Sequence, residues 1–223
     1  MINLIPKDEF GDYLKYVSNN YYYVSKDASV LEFGPMNGYH TLALALQQPK
    51  EIICVEPSPR TKYDRFNLCN ATVINCTAND YYSDRQIKPY DVVTCMGLLY
   101  HMHSPLHFIE QVINFSQPKY FIIETIHKVD YNIKREAVQL DGQAFPDRGI
   151  NNQLSYSLLI PSELLVSIVE SMGYKLFKHE LYNDKFKTGP MKGIKNKFGI
   201  WMFERDNTWA FELPVDTGYN GEL

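Results

Sequence analysis

The stretch that decides the fold is VLEFGPMNGYHT, from Val30 to Thr41. Its first half is a short apolar run that stops at Gly34, and after Gly38 the Ala- and Leu-rich TLALALQQ favours helix. A strand that ends on one glycine and restarts as a helix after another encloses a tight turn. Backbone there can approach a ligand closely, with helix N–H groups directed at it. The turn is not the G-x-G-x-x-G of dinucleotide sites, because Pro35 and Met36 stand where that motif needs its second glycine. Glu32 adds a second mismatch. A carboxylate just before the loop repels a pyrophosphate but favours the ammonium and sulfonium charges of S-adenosylmethionine (SAM).

Working outward, the alternation repeats. EIICVE at 51–56 stops at Pro57, and SPRTKYDRFNLCN from Ser58 has helical character with a serine cap. TVINCT at 72–77 and YDVVTCMG at 90–97 predict a third and a fourth strand. PLHFIEQVINF begins with proline at a permitted first-turn position and places Phe108, Val112 and Phe115 on neighbouring helical positions. KYFIIET at 119–125 is a fifth strand. Five strands alternating with helices imply a mainly parallel sheet, and strand runs without clean alternation imply cover on both faces.

Outside this core, residues 1–27 contain a helix around Glu9 to Val17 and the cluster Tyr21, Tyr22, Tyr23. Residues 127–156 are polar and lack a strong period, which predicts a lid-like insertion. SELLVSIVESMG puts Leu164, Leu165, Ile168, Val169 and Met172 on one helical face and ends at Gly173, a natural C-cap. YKLFKHELY and FGIWMFER then read as a closing hairpin, and the tail from Asp206 shows no period. The expected architecture is a single α/β domain spanning 1–223.

Bulk properties narrow the function classes. A chain of 223 residues with 45% apolar and 22% charged residues has the balance of an ordinary globular protein. Net charge is −4, so no global positive field draws nucleic acid or an anionic membrane. Cys54, Cys69, Cys76 and Cys95 lack the close pairing of a zinc site and read as reduced core thiols. No signal-peptide core and no apolar run of roughly 18 residues is present. A cytoplasmic protein without a membrane partner is expected. The 17 tyrosines suit pockets and interfaces, and a biased composition explains them equally well.

The candidate site gathers at the carboxyl ends of the predicted strands. Glu56 ends the second strand 22 residues after Gly34, the offset at which an acidic side chain accepts hydrogen bonds from ribose hydroxyls. Asn79 and Asp80 follow the third strand, placed to meet an adenine. Each acid alone is a solvated loop residue more often than a ligand; taken together after strands one, two and three they favour a nucleoside site.

These residues carry a family resemblance. LEFGPMNG, CVEP and DVVTCMGLLYHMHSP make the chain similar to class I SAM-dependent methyltransferases, and MGLLYH followed by SP, with FIIET and LLIPSELL, resembles the wobble-uridine tRNA carboxymethyltransferase family. The resemblance implies a Rossmann-like sheet of order 3-2-1-4-5-7-6 with strand seven antiparallel. It further implies that Glu32, Gly34 and Gly38 meet the methionine part of SAM, Glu56 the ribose, and Met96 or Leu98 the cofactor edge, with Tyr100 facing the transferable group. Pro35, Asn37, Pro57 and Gly97 complete the expected cofactor contacts. Proline at 35 departs from the usual small residue. The family's longer N-terminal extension, with its cation for carboxy-SAM, has no counterpart here, and no residue near 197–205 is identified as the equivalent of its C-terminal arginine. Ordinary SAM is therefore the expected cofactor.

SAM carries an activated methyl, so the protein mainly aligns a nucleophile and excludes water. His101, beside Tyr100, is the first candidate base, with a capping or core role as its structural counterpart. His103 and His127 lie at the same rim. The spacing His101, His103, His107 superficially suggests metal ligands, but without a close acidic or cysteine partner no metal is expected. Tyr131, Arg135, Tyr156 and DGQAFPDRG in the insertion are expected to cover the acceptor, and five lysines between Lys185 and Lys197 form either a solvated loop or a contact for RNA phosphates. The first expectation is a methyltransferase acting on a small molecule. The alternatives are an RNA methyl- or carboxymethyltransferase, a SAM-binding but inactive partner subunit, and a nicotinamide oxidoreductase, which Glu32 opposes.

Overall fold

Apolar strands without alternation must be covered on both faces, and the fold supplies both layers. The computed structural model of the protein describes residues 5–7, 9–57, 63–83, 88–102, 104–127, 138–139, 156–157, 160–181 and 197–208. The strands are β1 Ser29–Phe33, β2 Glu51–Val55, β3 Thr72–Ile74, β4 Val92–Met96, β5 Tyr120–His127, β6 Val138–Gln139, β7 Tyr156–Ser157, β8 Tyr174–Leu181 and β9 Lys197–Arg205. The helices are α1 Glu9–Asn20, α2 Tyr39–Ala45, α3 Tyr63–Leu68, α4 Ala78–Ser83, α5 Pro105–Gln111 and α6 Ser162–Ser171.

Seven strands form one sheet in the order β3-β2-β1-β4-β5-β9-β8. The first five pair in parallel, whereas β9 runs antiparallel to β5 and β8. Numbered within this sheet, the order is the expected 3-2-1-4-5-7-6, with the seventh strand antiparallel. Strand β1 shows how alternation feeds both layers. Phe33 packs edge-on against Phe108 of α5 at 5.0 Å and Tyr81 of α4 at 5.6 Å. Truncating such a buried ring to alanine costs about 3–5 kcal/mol. Val30 joins the other layer, with Leu14 and Val17 of α1, Tyr22, and Leu42 and Ala43 of α2.

Two expectations are corrected. α5 passes into a π-helical turn, Val112–Ser116, which takes more residues per turn than an α-helix. Phe115 thereby leaves the face of Phe108 and Val112 and is 49% exposed, its ring resting on Tyr82. The widened turn places Ser116, whose carbonyl accepts the Tyr90 N–H at 2.9 Å and whose hydroxyl pairs with Tyr82 Oη at 2.9 Å. On α6, Leu165 and Val169 are buried but Leu164 is exposed. Successive helical residues are rotated by about 100°, so the buried stripe excludes Leu164.

Of the expected insertion, the antiparallel pair β6 and β7 is described, with Val138 opposite Ser157 and Gln139 opposite Tyr156. The cap at Ser58, His103, Tyr131, Arg135, the loop lysines up to Lys195, and Trp209 and Phe211 lie outside the described residues. Cys54, Cys69 and Cys95 are buried and Cys76 is half-buried, and none of the four is in a disulfide. No helix among the described residues is long and apolar enough to cross a membrane.

Candidate active site

The turn from Gly34 to Gly38 takes its shape from three residues in the left-handed region: Gly34 at φ 68°, Met36 at 54° and Gly38 at 77°. Glycine adopts this conformation without a β-carbon clash; Met36 does so with its side chain turned outward, 55% exposed. The Gly34 N–H donates to the Val55 carbonyl at 2.9 Å, and Gly38 N–H to the Pro35 carbonyl at 2.9 Å. A β-carbon on Gly34 would stand 3.1 Å from the Leu98 side chain, so the loops after β1 and β4 close on each other through that glycine.

Glu56, buried at the end of β2, accepts the Met36 amide N–H on Oε2 at 2.9 Å. It therefore latches the loop from the end of β2. Asn37 is held from the other side. Its carbonyl accepts a guanidinium N–H of Arg65 at 2.8 Å, and Arg65 also donates to Tyr39 Oη at 2.9 Å. Sequence reading missed Arg65, because one arginine in a short helix carries no motif. Pro35 is buried in the turn and Pro57 is exposed after it.

Glu32 is fully buried between β1, β2 and α2. Its Oε2 accepts Thr41 Oγ1 at 2.6 Å and the Cys54 thiol at 3.4 Å, while Oε1 has no hydrogen-bond partner. Burial pushes its carboxyl up to about 7, only partly offset by those hydrogen bonds.

Asn79 and Asp80 are exposed on α4. Asp80 Oδ2 accepts Thr77 Oγ1 at 2.6 Å, and the Asp80 N–H donates to Thr77 Oγ1 at 3.1 Å. This reciprocal pair is a capping box, legible in the sequence as Thr77-x-x-Asp80 and not recognised there. Asp80 Oδ2 is thus committed to its own helix.

At the end of β4, Met96 is buried and Gly97, at φ 68°, donates its N–H to the Glu124 carbonyl at 3.0 Å. Tyr100 and His101 occupy a 3-10 turn, Leu99–His101, with ring centroids 4.3 Å apart. β7 runs beside this turn, within 8 Å between Cα atoms. His107 stands apart on the exposed side of α5, 3.6 Å from Glu110.

Sequence reading also missed the cover that α1 brings. Tyr13 Oη donates to Glu124 Oε2, a buried pair joining residues far apart in the chain. Tyr22 Oη lies 2.8 Å from His40 Nδ1. Burial holds the His40 imidazole down at about 4, so it is neutral near pH 7. The Tyr22 phenol is held well above its ordinary range by burial first and by the negative fields of Glu32 and Glu124 next. Two groups result: Gly34, Asn37, Gly38, Glu56 and Leu98 around the turn, and Met96, Gly97, Tyr100 and Glu124 beside it.

Comparison with known proteins agrees with this geometry. A tRNA U34 carboxymethyltransferase of Desulforapulum autotrophicum (strain ATCC 43914 / DSM 3382 / VKM B-1955 / HRM2) is 33% identical over 93 residues, covering 40% of this chain and 28% of that protein. The matches to three such relatives span 28%, 31% and 40% of their lengths. The N-terminal domain of EvdMO1, solved with SAH bound, superposes with TM-score 0.58 at 18% identity, covering 92% of this chain and 83% of that one. The [4+2]-cyclase SpnF superposes with TM-score 0.64 at 11% identity, covering 89% and 82%. At these identities the superpositions establish the fold alone, and a cyclase among them shows that one fold hosts several chemistries. The family model of a methyltransferase domain matches residues 8–177, most of the chain, and the protein therefore belongs to the methyltransferase domain family.

Proposed function

We propose that the chain transfers a methyl group from SAM to a small-molecule acceptor, with SAM lying across the ends of β1, β2 and β4. The observation that carries this reading is Glu56, buried and fixed by the Met36 amide at the edge of the glycine turn. A carboxylate held there suits two ribose hydroxyls.

The residues fit the cofactor. The turn presents backbone rather than side chains, Gly97 leaves space between Tyr100 and Glu124, and Glu32 Oε1 is a buried acceptor without a partner. Bound SAM would supply a methyl already activated on a cationic sulfur. Loop backbone at Gly34 and Gly38 would receive the methionine part, Glu56 the ribose, and Met96 and Leu98 the flat edge of the nucleoside. The carboxyl of Glu32, raised to about 7, can accept hydrogen bonds from the ammonium of the methionine part as it loses its proton. Tyr100 and His101 face the acceptor side, α1 excludes water, and a base is needed only where the nucleophile must lose a proton.

Thermal-shift measurements with SAM, SAH and NAD test the reading. Ligand at a hundred times its dissociation constant should add about 2.7 kcal/mol of stability. No shift with either SAM compound overturns it, and a shift with NAD alone would favour an oxidoreductase. Binding without product would favour the inactive partner subunit, a separate outcome because the fold also carries a cyclase.

The names of the curated relatives favour an RNA acceptor as a second reading. Charge removal across Lys185 to Lys197, followed by salt-dependent tRNA binding, separates it from the first; unchanged binding counts against RNA.

A further inference from the structure

Tyr22 is fully buried, and its Oη lies 2.8 Å from His40 Nδ1, its hydrogen-bond partner among the described residues. A phenol enclosed in this way must give its proton to an acceptor, because an orphaned buried donor is strongly disfavoured. The negative fields of Glu32 and Glu124 hold that proton on the phenol. Burial in turn keeps the imidazole of His40 neutral near pH 7. The lone pair that receives the Tyr22 proton is therefore Nδ1, and the single ring proton of the neutral imidazole sits on Nε2. His40 is half-buried, and Nε2 has no partner among the described residues. Tyr13 stands edge-on to the ring at 5.8 Å and Tyr22 at 6.1 Å, so the imidazole has little freedom to turn.

His40 lies on α2, two residues beyond Gly38 and the glycine turn. Thr41, next in the chain, donates to Glu32 Oε2, and Tyr13, which flanks the ring, reaches Glu124. The imidazole thus stands beside the turn, where the methionine part of SAM would lie. That part carries an ammonium and a carboxylate, and the two make opposite demands. Glu32, Glu56 and Glu124 are all buried at this end of the sheet, which suits the ammonium and repels the carboxylate. Arg65, the cation at the turn, is committed to the Asn37 carbonyl and to Tyr39. A carboxylate here needs a fixed donor, and His40 Nε2–H is one.

We propose that His40 holds the carboxylate of SAM by donating its Nε2–H to a carboxylate oxygen, while Tyr22 fixes the tautomer that makes Nε2 the donor. This rests on the reading that SAM is the cofactor. His40 is then a binding residue for the amino-acid end, and Tyr22 a positioning residue that acts through it.

Two ligands separate the amino-acid end from the rest of the site: SAH, and methylthioadenosine, which keeps the nucleoside and sulfur but has no carboxylate. Nitrogen NMR of the full chain with isotope-labelled histidine reads the tautomer, with the His40 signals assigned by their loss in His40→Gln. A protonated Nε2 and a bare Nδ1 are expected, becoming a mixture of tautomers in Tyr22→Phe. The Nε2 signal should move on adding SAH and stay in place on adding methylthioadenosine. By calorimetry, His40→Ala should weaken SAH at least about tenfold and methylthioadenosine less than about twofold. H40Q, whose amide N–H replaces Nε2–H, should recover most of the loss. A bare Nε2, an Nε2 signal unmoved by SAH, or equal losses for the two ligands in H40A overturns the assignment. The NMR measurement on the wild-type chain decides even where H40A fails to fold. Failure of the wild-type chain to bind SAH overturns the cofactor reading beneath it instead.

Discussion

The guanidinium of Arg65 stands 3.9 Å from the ring centroid of Tyr39 while donating a hydrogen bond to that residue's hydroxyl and another to the Asn37 carbonyl. Three short contacts from one side chain brace the turn from α3, opposite the Glu56 latch.

Replacing Arg65 therefore loosens the turn without opening the core. Charge-assisted hydrogen bonds contribute about 1.5–3 kcal/mol and exposed cation–π contacts about 0.5–1 kcal/mol. Arg65→Ala should weaken SAH binding about tenfold by calorimetry, and Arg65→Lys should recover little because the planar fork is lost. Unchanged affinity in both variants would show that the brace does not shape the cofactor site.

Buried Glu32 and half-buried His40 should impose opposing pH dependences on stability. Glu32 is raised from 4.5 to about 7, so its proton is held more tightly in the folded state and stability falls as pH rises through that window. His40 is lowered from 6.5 to about 4, so stability falls as pH drops through that window. Between 4.5 and 6.5 the two slopes oppose each other. Denaturant titrations should show Glu32→Gln gaining on wild type as pH rises, by on the order of 3 kcal/mol above neutrality. A constant difference across pH would remove Glu32 from the linkage.

The capping box on α4 separates structural from ligand roles at Asp80. Thr77→Ala should cost about 1 kcal/mol of stability. Asp80→Asn keeps much of the cap, so a loss of SAH affinity in that variant, absent in T77A, would assign Asp80 to the adenine. Equal affinities would leave it a cap alone.

Gly199 is enforced by packing. A β-carbon there would collide with the Trp201 ring, itself 1% exposed. Gly199→Ala should cost about 1–3 kcal/mol by displacing that ring, read as a lower Tm without a change in cofactor affinity.

The alternation of apolar runs with helical stretches was enough to place β1 and β5 to within two residues and to predict a mainly parallel sheet, whereas the strand order followed from the family resemblance. The turn between Gly34 and Gly38 was equally legible, since a strand, two glycines and a helix are all local features. What escaped were contacts between distant segments. Tyr13 meets Glu124 across most of the domain, and neither residue has a neighbour in sequence that announces the pairing. The exposure of Phe115 was hidden because a π turn differs from an α turn by hydrogen bonding, not by composition. Glu32 was found for its charge, but its enclosure by Thr41 and Cys54 belongs to packing.

In the sheet, β2 and β3 lie on one side of β1, and β4 and β5 on the other. The gene is thereby laid out in two stretches, one encoding the turn, Glu56 and Arg65, the next encoding Gly97, Tyr100 and Glu124. Recombination between α4 and β4 would exchange the second stretch whole, so descendants could inherit one glycine turn while trialling new residues opposite it. Such a chimera would carry one obligation across the joint. Tyr13, encoded with the first stretch, must still find a carboxylate at the end of β5.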